Sequence, residues 1–405
     1  MNIIIVGSGG REHALKWKLE QDGHQAVLAT TDVSSLVRES LSLVVVGPEA
    51  PLAEGIVDRL NAQGARAFGP TQAAARLESS KAFAKQFMRR HAIPTAGFAV
   101  FSDYEAAIGF VQRLPFAGAG CVVKASGLAA GKGVIVCDDA DEAGLALHRI
   151  MVEREFGSAG DEVVIEEKLS GPEVSLMAFC DGKTVTAMLP AQDHKRVFDG
   201  DQGPNTGGMG AFCPSPLMMP DDVQRCTEAV LLPAVRGMAA EGAPYKGVLY
   251  AGLMLTPQGP MVLEFNCRFG DPETQAVLPL LKTDLAEIAN ACIDGRLDEI
   301  KIEWHAGAAA CIVLASGGYP GAFKRGLPVH GLHELPEGAL VFNAGVKRAG
   351  DQWLTDGGRV LGITARGASL RDALEKAYAG VARVSFEGMH YRRDIGRQQK
   401  NLTGH

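Results

Sequence analysis

The stretch KASGLAAGKGVIV, residues 124–136, contains a Gly-Lys pair like the one at the core of a phosphate-binding P-loop. Two positions argue against a P-loop: Ser126 stands where its first glycine should be, and Gly133 stands where its Mg²⁺-binding serine or threonine should be. Segments rich in β-branched residues precede and follow the glycines, which predicts a strand, a glycine-rich turn and a second strand. We therefore interpret the stretch as a glycine hairpin, which can still lie over phosphates as a flap rather than as a cradle.

The part of the chain before this hairpin begins with an α/β pattern, in which short apolar runs alternate with helical periodicity over roughly the first 80 residues. Each predicted strand there ends in a glycine-containing turn, at 7–10, 47–49 and 69–70. Ligands of parallel sheets bind at the carboxyl ends of the strands, where these turns lie. Glu12 occupies the third glycine position of the dinucleotide fingerprint, so a small phosphorylated ligand at a helix N-terminus fits better than NAD.

Length and composition indicate an ordinary globular chain. Its 405 residues exceed what one hydrophobic core usually supports, so about two to four domains are expected. The formal net charge of −7 contains no long run of one sign, which argues against nucleic acid and anionic membrane as partners. The eight cysteines lack metal-ligand spacing, and no apolar run approaches the ~18 residues that span a bilayer. We expect a cytoplasmic protein with reduced thiols, whose first segment is a strand rather than a signal peptide.

Beyond the first 80 residues, periodicity predicts a basic helix at 81–91, a strand-rich segment at about 97–168 and a helix at 221–241. The glycine-rich stretch 199–216 is predicted to be a long loop, and its low charge favours function over disorder. Short strands with glycine turns and one helix are expected from about residue 306 onward.

The segment MVLEFNCRFGDPETQ, residues 261–275, carries the densest set of residues with possible chemistry. Because alternate residues of a strand share a face, 261, 263 and 265 are predicted to point to the core, and Val262, Glu264 and Asn266 to the opposite side. A carboxylate and an amide oxygen two residues apart suit a hard cation such as Mg²⁺. An E-x-N pattern alone is more often a solvated strand edge. Three charged residues that follow closely favour a functional site: Arg268, Asp271 and Glu273.

Long motifs follow one another in order from the first glycine turn to Ile395. They are GGREHAL, GPEAPL, SSKAFAK, KASGLAAGKGV, IEEKLSGPEVS, QDHKR, GPNTGGMGA, LYAGLM, EFNCRFGDPETQ, SGGYPG, TDGGRVLGITARG and RRDIG. Together they closely resemble the phosphoribosylamine–glycine ligase family of the ATP-grasp superfamily. The resemblance implies an α/β ATP-grasp fold: a shortened N-terminal Rossmann-like domain at 1–78, an ATP-grasp domain at 79–305 with its flap subdomain at about 97–168, and a small β-rich C-terminal domain at 306–405.

The resemblance also implies the nucleotide site. Lys81 and Lys124 would contact ATP phosphates, and the flap tip would add Gly131, Lys132 and Gly133. Adenine would lie near Glu166, Glu167 and Leu169, and Glu173 would bind the ribose. Without the family, an isolated lysine is more often a solvated surface charge, and Glu166-Glu167 are equally well explained as a surface strand end.

By the same resemblance, the activity is ATP-dependent ligation of glycine to 5-phosphoribosylamine, giving glycinamide ribonucleotide for purine synthesis through a glycyl phosphate. Glu264 and Asn266 would bind Mg²⁺ or Mn²⁺; Arg268 and either Asp271 or Glu273 would act in catalysis. Ten residues would bind the substrates: Gly9, Gly10, Arg11, Glu49, Asp193, Lys195, Thr206, Gly207, Gly208 and Met209. His194 is interpreted as shaping this anion site rather than transferring protons. The molecule is expected to be a monomer or weak homodimer.

One departure from the family pattern concerns the N-terminal domain. The P-G-N-A-G-T-like loop expected after the second strand is absent, and residues 27–32 lead quickly to LSLVVVGPEAPL. The phosphate of phosphoribosylamine is then expected to bind the backbone of residues 7–11 and the Arg11 side chain. Two alternatives stay open: a nucleotide-binding relative without synthetase activity, and an ATP-grasp ligase with another substrate pair.

Overall fold

The structure is a computed structural model that describes residues 1–29, 43–113, 120–129 and 132–397. Gly131 and the shortened connection at 30–32 lie outside these ranges.

The first part of the described chain has four strands and four helices: β1 Asn2–Val6, α1 Gly10–Gln21, β2 Gln25–Ala29, β3 Leu43–Val46, α2 Glu49–Ala53, α3 Ile56–Ala62, β4 Arg66–Phe68 and α4 Gln72–Ser79. All the strands are parallel, in the order β2-β1-β3-β4, and form the N-terminal sheet. β1 and β3 are almost wholly apolar because helices cover both faces of a parallel sheet. The predicted α/β pattern is confirmed here.

The second part contains α5 Lys81–Arg90, β5 Phe98–Phe101, α6 Tyr104–Val111, β6 Cys121–Ala125, β7 Val134–Cys137, α7 Ala140–Leu147 and β8 Val163–Glu167, with a π-helical turn at His148–Val152 and a 3₁₀ turn at Gly157–Gly160. Its strands form an antiparallel sheet in the order β5-β8-β6-β7, the flap sheet. β6 and β7 pair with Lys124 opposite Val134, which confirms the predicted hairpin. Helices α6 and α7 were not predicted in this strand-rich segment.

The third part contains β9 Glu173–Asp181, β10 Val185–Ala187, β11 Gln192–Asp193, β12 Arg196–Phe198, β13 Gln202–Asn205, β14 Gly210–Cys213, α8 Pro220–Cys226, α9 Leu232–Ala240, β15 Lys246–Thr256, β16 Gly259–Asn266, α10 Glu273–Val277 and α11 Leu285–Asp294. A π-helical turn, Thr227–Leu231, joins α8 to α9, so the helix predicted at 221–241 is confirmed. The central sheet is antiparallel, with the order β10-β9-β15-β16.

The last part contains β17 Ala308–Ala315, β18 Pro328–Val329, β19 Ala339–Asn343, β20 Val346–Ala349, β21 Gln352–Thr355, β22 Arg359–Gly367 and α12 Leu370–Val381. The C-terminal sheet has the order β11-β14-β17-β22-β19, so two of its five strands precede residue 306. The stretch 199–216, expected to be a loop, contains β13 and β14, and β12 pairs with β13 as a hairpin. Gly203 and Gly210 lie in these strands, whereas Gly207 and Gly208 lie in the connection between them.

The strand β16 departs from simple alternation. Gly252 of β15 pairs with Glu264 and Leu253 pairs with Val262, which leaves Leu263 as the extra residue of a β-bulge. Val262 and Phe265 therefore pack in the same core, and Leu263 lines a cavity instead. The prediction that residue 263 faces the core and Val262 faces away was wrong, because period-2 reasoning cannot include an inserted residue.

Candidate active site

A cavity of about 550 Å³ lies between the central sheet, the flap sheet, the N-terminal sheet and the C-terminal sheet. Helix α5 and the flap sheet supply lysines at one end, and β16 supplies Glu264 and Asn266 along its floor. The other end is lined by arginines and carboxylates from the N-terminal part, from the segment after β16 and from β22. Ligand-binding sites commonly lie where domains meet, and this cavity has the size of such sites.

The lysine end is built around one buried carboxylate. Glu166, only 3 % exposed, forms ion pairs with Lys85 and Lys124, each at 2.8 Å. Burial lowers the pKa of Lys85 to about 8, and it also lowers the pKa of Lys81. Lys81 and Lys124, the two lysines predicted to contact ATP phosphates, both line the cavity. Lys124 also donates to the Leu263 carbonyl oxygen at 3.0 Å.

Glu166 is therefore not part of a surface strand end, since its side chain faces these lysines. Glu167 is exposed and Leu169 is half-buried beyond the end of β8. Lys85 was missed in the sequence, although its i, i+4 spacing from Lys81 on helix α5 places both on one face and could have indicated it.

The flap residues that the structure describes border the same end. Lys132 and Gly133 line the cavity. A Cβ on Gly127 would lie 2.6 Å from the Ala159 Cβ, and a Cβ on Gly133 would lie 2.8 Å from the Ala129 Cβ. Neither glycine is among the residues with a left-handed backbone, so close approach of the chain, rather than special backbone angles, explains glycine at these two positions.

Glu264 and Asn266 present oxygen atoms to the cavity from β16. Burial alone would raise the pKa of Glu264, but Lys195, Lys81 and Lys124 outweigh it and lower the pKa. Within the described ranges, no protein group donates a hydrogen bond to the Glu264 carboxylate. The Asn266 Oδ1 accepts one from Arg268 at 3.1 Å and keeps a second lone pair. An ionised carboxylate without a donor beside an amide oxygen fits a hard divalent cation.

In the described part of the chain no group of three or more His, Cys, Asp or Glu residues is arranged to hold a metal ion. A cation bound by Glu264 and Asn266 would therefore take its other ligands from substrate oxygens and water, as Mg²⁺ usually does in phosphate-handling sites.

Arg268 is the centre of the opposite end. Its guanidinium pairs with Glu49 at 3.2 Å and with Glu78 at 3.1 Å. The Cys267 backbone N–H also donates to Glu78 at 2.6 Å. Burial raises the pKa of Glu78, whereas Arg268 and Arg11 outweigh burial and lower the pKa of Glu49. Glu78 was missed because nothing in its sequence context, the end of a helix, distinguishes it from a surface residue.

The two carboxylates that follow β16 occupy different places. Asp271 lines the cavity and pairs with Arg359 at 2.8 Å. Burial alone would raise the pKa of Asp271, but Arg359 and then Arg11 lower it. Glu273 is 2 % exposed and accepts a hydrogen bond from the Tyr250 hydroxyl at 2.7 Å, behind the cavity wall. Arg359 belongs to a segment far along the sequence, and the sequence did not indicate it as a site residue.

The glycine-rich connection between β13 and β14 enters the cavity with Thr206 and Gly207. Gly208 has φ +104°, and a Cβ there would lie 2.3 Å from the Pro272 Cδ, so this position requires glycine. Met209 is fully buried and packs against Val197. The expectation that Met209 binds substrate is not supported, because its side chain faces this small core instead of the cavity.

Asp193 at the end of β11 and the two residues after it, His194 and Lys195, have different surroundings. Burial raises the pKa of Asp193 to about 7, and Lys195 opposes that shift. Lys195 forms an ion pair with Glu173. His194 is buried against Phe212, with ring centroids 5.9 Å apart, and burial followed by Arg392 lowers its pKa to about 4. His194 thus lies in the C-terminal core, and it does not shape the cavity wall.

The first glycine turn differs from the prediction. The Gly7 N–H donates to the Ala29 carbonyl oxygen, and the Gly9 N–H donates to Glu12 Oε2 at 2.7 Å. The Glu12 carboxylate thus occupies the helix N-terminus where a phosphate was expected. Gly10 packs closely against Gln275, since a Cβ there would lie 2.7 Å from the Gln275 Nε2.

Arg11 does reach the cavity, although it is buried and committed to protein partners. It pairs with Glu12 and donates to the Phe269 carbonyl oxygen at 3.1 Å. The backbone N–H groups of Gly7 and Gly9, which were expected to bind the phosphate, already donate to protein oxygens. The Arg11 side chain is the predicted phosphate ligand that does line the cavity.

Among the described residues, none of the helices is both long and apolar enough to cross a membrane. All eight cysteines are buried and free of disulfides.

Comparison with known proteins identifies similar chains over the whole length. Models of the phosphoribosylglycinamide synthetase N domain, ATP-grasp (A) domain and C domain match residues 29–78, 79–274 and 309–398. Phosphoribosylamine–glycine ligase from Allochromatium vinosum is 47 % identical and is covered to 98 %, as is this chain. The ligase from Nostoc sp. is 48 % identical, with 98 % of this chain and 99 % of that one covered.

A second class of relatives is longer. The trifunctional purine biosynthetic protein adenosine-3 of Gallus gallus is 49 % identical over 97 % of this chain, which spans only 42 % of that protein. Among solved structures, the Thermotoga maritima phosphoribosylamine–glycine ligase has a TM-score of 0.83 at 33 % identity, with 98 % of this chain and 100 % of that one covered. A Campylobacter jejuni biotin carboxylase, at 13 % identity and a TM-score of 0.71, covers 96 % of this chain and 92 % of its own, and shares the fold.

Proposed function

Because the chain belongs to the phosphoribosylglycinamide synthetase family, we propose that it ligates glycine to 5-phosphoribosylamine and splits ATP to ADP and phosphate. The product is glycinamide ribonucleotide, an intermediate of purine synthesis. The observation that carries the proposal is one cavity with lysines at one end and an arginine with carboxylates at the other. A ligase that couples ATP to amide formation needs both sets of groups in one enclosed space.

At the lysine end, Lys81, Lys124 and Lys132 bind the ATP phosphates. Glu166 fixes Lys124 and Lys85 in place through its two ion pairs, so the ammonium groups are held before nucleotide enters. Glu264 and Asn266 would hold Mg²⁺ or Mn²⁺, which when bound would offset the negative charge of the phosphate oxygens. Glu167 at the end of β8, Leu169 after it and Glu173 at the start of β9 serve the adenosine part.

Glycine must be activated because a carboxylate is a poor acceptor for an amine. One of its carboxylate oxygens bonds to the γ-phosphorus, the bond to the β-phosphate bridging oxygen breaks, and ADP leaves. The amine of phosphoribosylamine then attacks the carbonyl carbon of glycyl phosphate. The amide bond forms as the bond between the carbonyl carbon and the phosphate oxygen breaks, and the departing phosphate takes up the proton that the nitrogen loses. Arg268 faces the cavity and stabilises the charge that develops on the transferred oxygens.

Asp271 is the better placed of the two candidate carboxylates for the amine. It lines the cavity, and Arg359 and Arg11 keep it ionised, so it accepts an N–H from the attacking amine and orients it. Glu273 lies behind the wall and supports the site through Tyr250. The flap and the connection with Thr206 and Gly207 close the cavity and keep water from the acyl phosphate.

The proposal also includes the domain boundaries, the location, the oligomeric state and three further residues of the substrate end. The chain is divided at about residues 78 and 305 into N-terminal, ATP-grasp and C-terminal domains. It acts in the cytoplasm, where its phosphorylated small-molecule substrates are found, as a monomer or weak homodimer. Asp193, Lys195 and Glu49 contribute to the substrate end.

The test is an assay of the purified protein with ATP, glycine and freshly generated phosphoribosylamine. The proposal expects ADP release that requires both substrates and yields one amide per ADP. Nucleotide binding without such release identifies a relative that lacks synthetase activity. ADP release that needs a different amine or carboxylate identifies another substrate pair. Omission of each substrate in turn distinguishes these outcomes.

A further inference from the structure

Arg359 reaches into the cavity from β22 of the C-terminal sheet and holds two chain segments that line the substrate end. Its guanidinium donates to the Asp271 carboxylate at 2.8 Å and to the Asp271 carbonyl oxygen at 3.1 Å. It also donates to the Gly207 carbonyl oxygen. The planar fork of arginine suits such simultaneous contacts, which a lysine cannot reproduce.

Gly207 is held from both sides by this part of the molecule. Its N–H donates to the Tyr319 hydroxyl at 3.0 Å, while its carbonyl oxygen accepts from Arg359. A Cβ on Gly207 would lie 3.0 Å from the Arg359 Cζ, so glycine permits the guanidinium to lie against the backbone. Tyr319 lines the cavity as well.

One interpretation of Arg359 is a purely structural role, in which it only connects chain segments. Two features argue for more. The Arg359 side chain is 22 % exposed and borders the cavity. Arg392, which also connects chain segments through ion pairs, is fully buried instead. Both groups that Arg359 holds, Asp271 and Gly207, also line the cavity. A shift of Arg359 therefore moves the wall that meets the substrate.

We propose that Arg359 is a positioning residue of the amine-accepting end: it fixes the Asp271 carboxylate and Gly207 so that phosphoribosylamine attacks in the correct direction. This inference rests on the proposed function, because it assigns Asp271 to that amine. It makes the C-terminal sheet part of the site for the phosphoribosylamine step, while ATP binding depends on the opposite end.

The experiment compares Arg359→Ala, Arg359→Lys and Arg366→Ala. Arg366 lies on the same strand with an exposed side chain, so its removal controls for the loss of an arginine from β22. For each variant, kcat and the KM values of ATP, glycine and phosphoribosylamine are measured, together with Tm. Guanidinium ion at millimolar concentration is added to Arg359→Ala to restore the missing group.

We expect Arg359→Ala to lower kcat/KM for phosphoribosylamine about 10- to 100-fold, the cost of losing a charge-assisted contact. The KM for ATP should change by less than about twofold, since the lysine end is untouched. Guanidinium should restore part of the rate, Arg359→Lys should be intermediate, and Arg366→Ala should match the wild type.

Three outcomes would overturn the inference. Wild-type kcat/KM in Arg359→Ala would show that the contact is dispensable. Equal losses of kcat/KM for all three substrates, with a lowered Tm and no rescue by guanidinium, would show that Arg359 has a purely structural role. A wild-type protein that forms no amide would overturn the proposed function, and the role of Arg359 with it.

Discussion

At each end of the cavity, one charged side chain forms ion pairs with two side chains of opposite charge. Glu166 lies between Lys85 and Lys124, and Arg268 lies between Glu49 and Glu78. Removing one partner of a buried pair leaves a charge without compensation, which costs more than the pair contributes. Such pairs hold cations in position before the substrate arrives, so the wall needs little rearrangement during the reaction.

Glu264 stands apart from these pairs because no hydrogen-bond donor within the described ranges contacts its carboxylate. We expect Glu264→Gln to reduce kcat about 100-fold or more, since the amide keeps the shape but loses the charge that a divalent cation needs. Glu287→Gln, on the exposed face of α11, is the control and should retain wild-type rates. Near-normal ADP formation by Glu264→Gln at millimolar Mg²⁺ would contradict the metal assignment.

The buried His194 is expected to make the stability of the folded protein depend on pH. Burial lowers its pKa to about 4 from 6.5, so the folded protein keeps the imidazole neutral where the unfolded chain protonates it. This contribution is complete above pH 6.5 and is lost as the pH falls toward 4. The free energy of unfolding should decrease by up to ~1.4 kcal/mol per pH unit in that window.

The measurement is thermal unfolding of wild type and His194→Gln at several pH values between 7.5 and 4. The variant lacks the titrating group, so its Tm should fall less steeply than that of the wild type between pH 6.5 and 4. Carboxylates titrate in both proteins and cancel in the difference. Parallel curves would mean that His194 is protonated in the folded state as readily as in the unfolded chain.

Local sequence patterns predicted the strands of the flap hairpin and of the N-terminal sheet, but they did not predict which way individual side chains point. The β-branched flanks of the flap hairpin and the apolar runs of β1 and β3 identified those strands correctly. The bulge at Leu263 was not visible, because an inserted residue changes no residue type. The GPNTGGMGA motif was correctly singled out, yet it could not show that Met209 turns inward while Gly207 meets the cavity.

The flap should respond to nucleotide. Lys132 and Gly133 border the lysine end, so phosphates bound there would lie against them. We expect slower amide hydrogen exchange over residues 126–129 and 132–133 when ATP analogue and Mg²⁺ are present. Residues of α12, remote from the nucleotide end, provide the internal reference. Identical exchange with and without nucleotide would rule out a flap that closes on phosphates.

Gly208 tests the connection between β13 and β14. An alanine there would be strained at φ +104° and would place its Cβ 2.3 Å from the Pro272 Cδ. We expect Gly208→Ala to displace Thr206 and Gly207 and to reduce kcat/KM at least ~10-fold. Gly200→Ala is the matched control, because Gly200 is also left-handed, at φ +69°, with no atom near its Cβ position. Equal activity losses in both variants would attribute the effect to backbone strain alone.

The cavity is lined by segments that are distant from one another in the sequence. Arg11, Arg268 and Arg359 lie on three different sheets or their connections and converge on one end of the cavity. Motif resemblance located the family and most lysine-end residues, because those motifs are local. It did not assign Glu78, Lys85 or Arg359 to the site, although Lys85 and Arg359 lie within quoted motifs. Their contacts in the site are with groups that are distant in the sequence.

The N-terminal sheet supplies the last prediction. Arg11 borders the cavity and keeps a guanidinium near Glu49 and Asp271, even though Glu12 occupies the nearby helix N-terminus. If the Arg11 side chain holds the phosphate of phosphoribosylamine, Arg11→Ala should raise the KM for that substrate about tenfold or more. The KM values for ATP and glycine should remain nearly unchanged.

Arg11 also ties the N-terminal sheet to the segment after β16 through the Phe269 carbonyl oxygen, so a loosened contact between these parts could raise KM without any phosphate contact. Arg66→Ala separates the two causes. Arg66 likewise crosses from the N-terminal sheet to α11, donating to Asn290 at 2.7 Å and pairing with Asp294 at 2.8 Å, but it does not line the cavity. A rise in KM confined to Arg11→Ala assigns the phosphate to that guanidinium. A similar rise in both variants would show that the seating of the N-terminal sheet, and not an Arg11 contact, controls phosphoribosylamine binding.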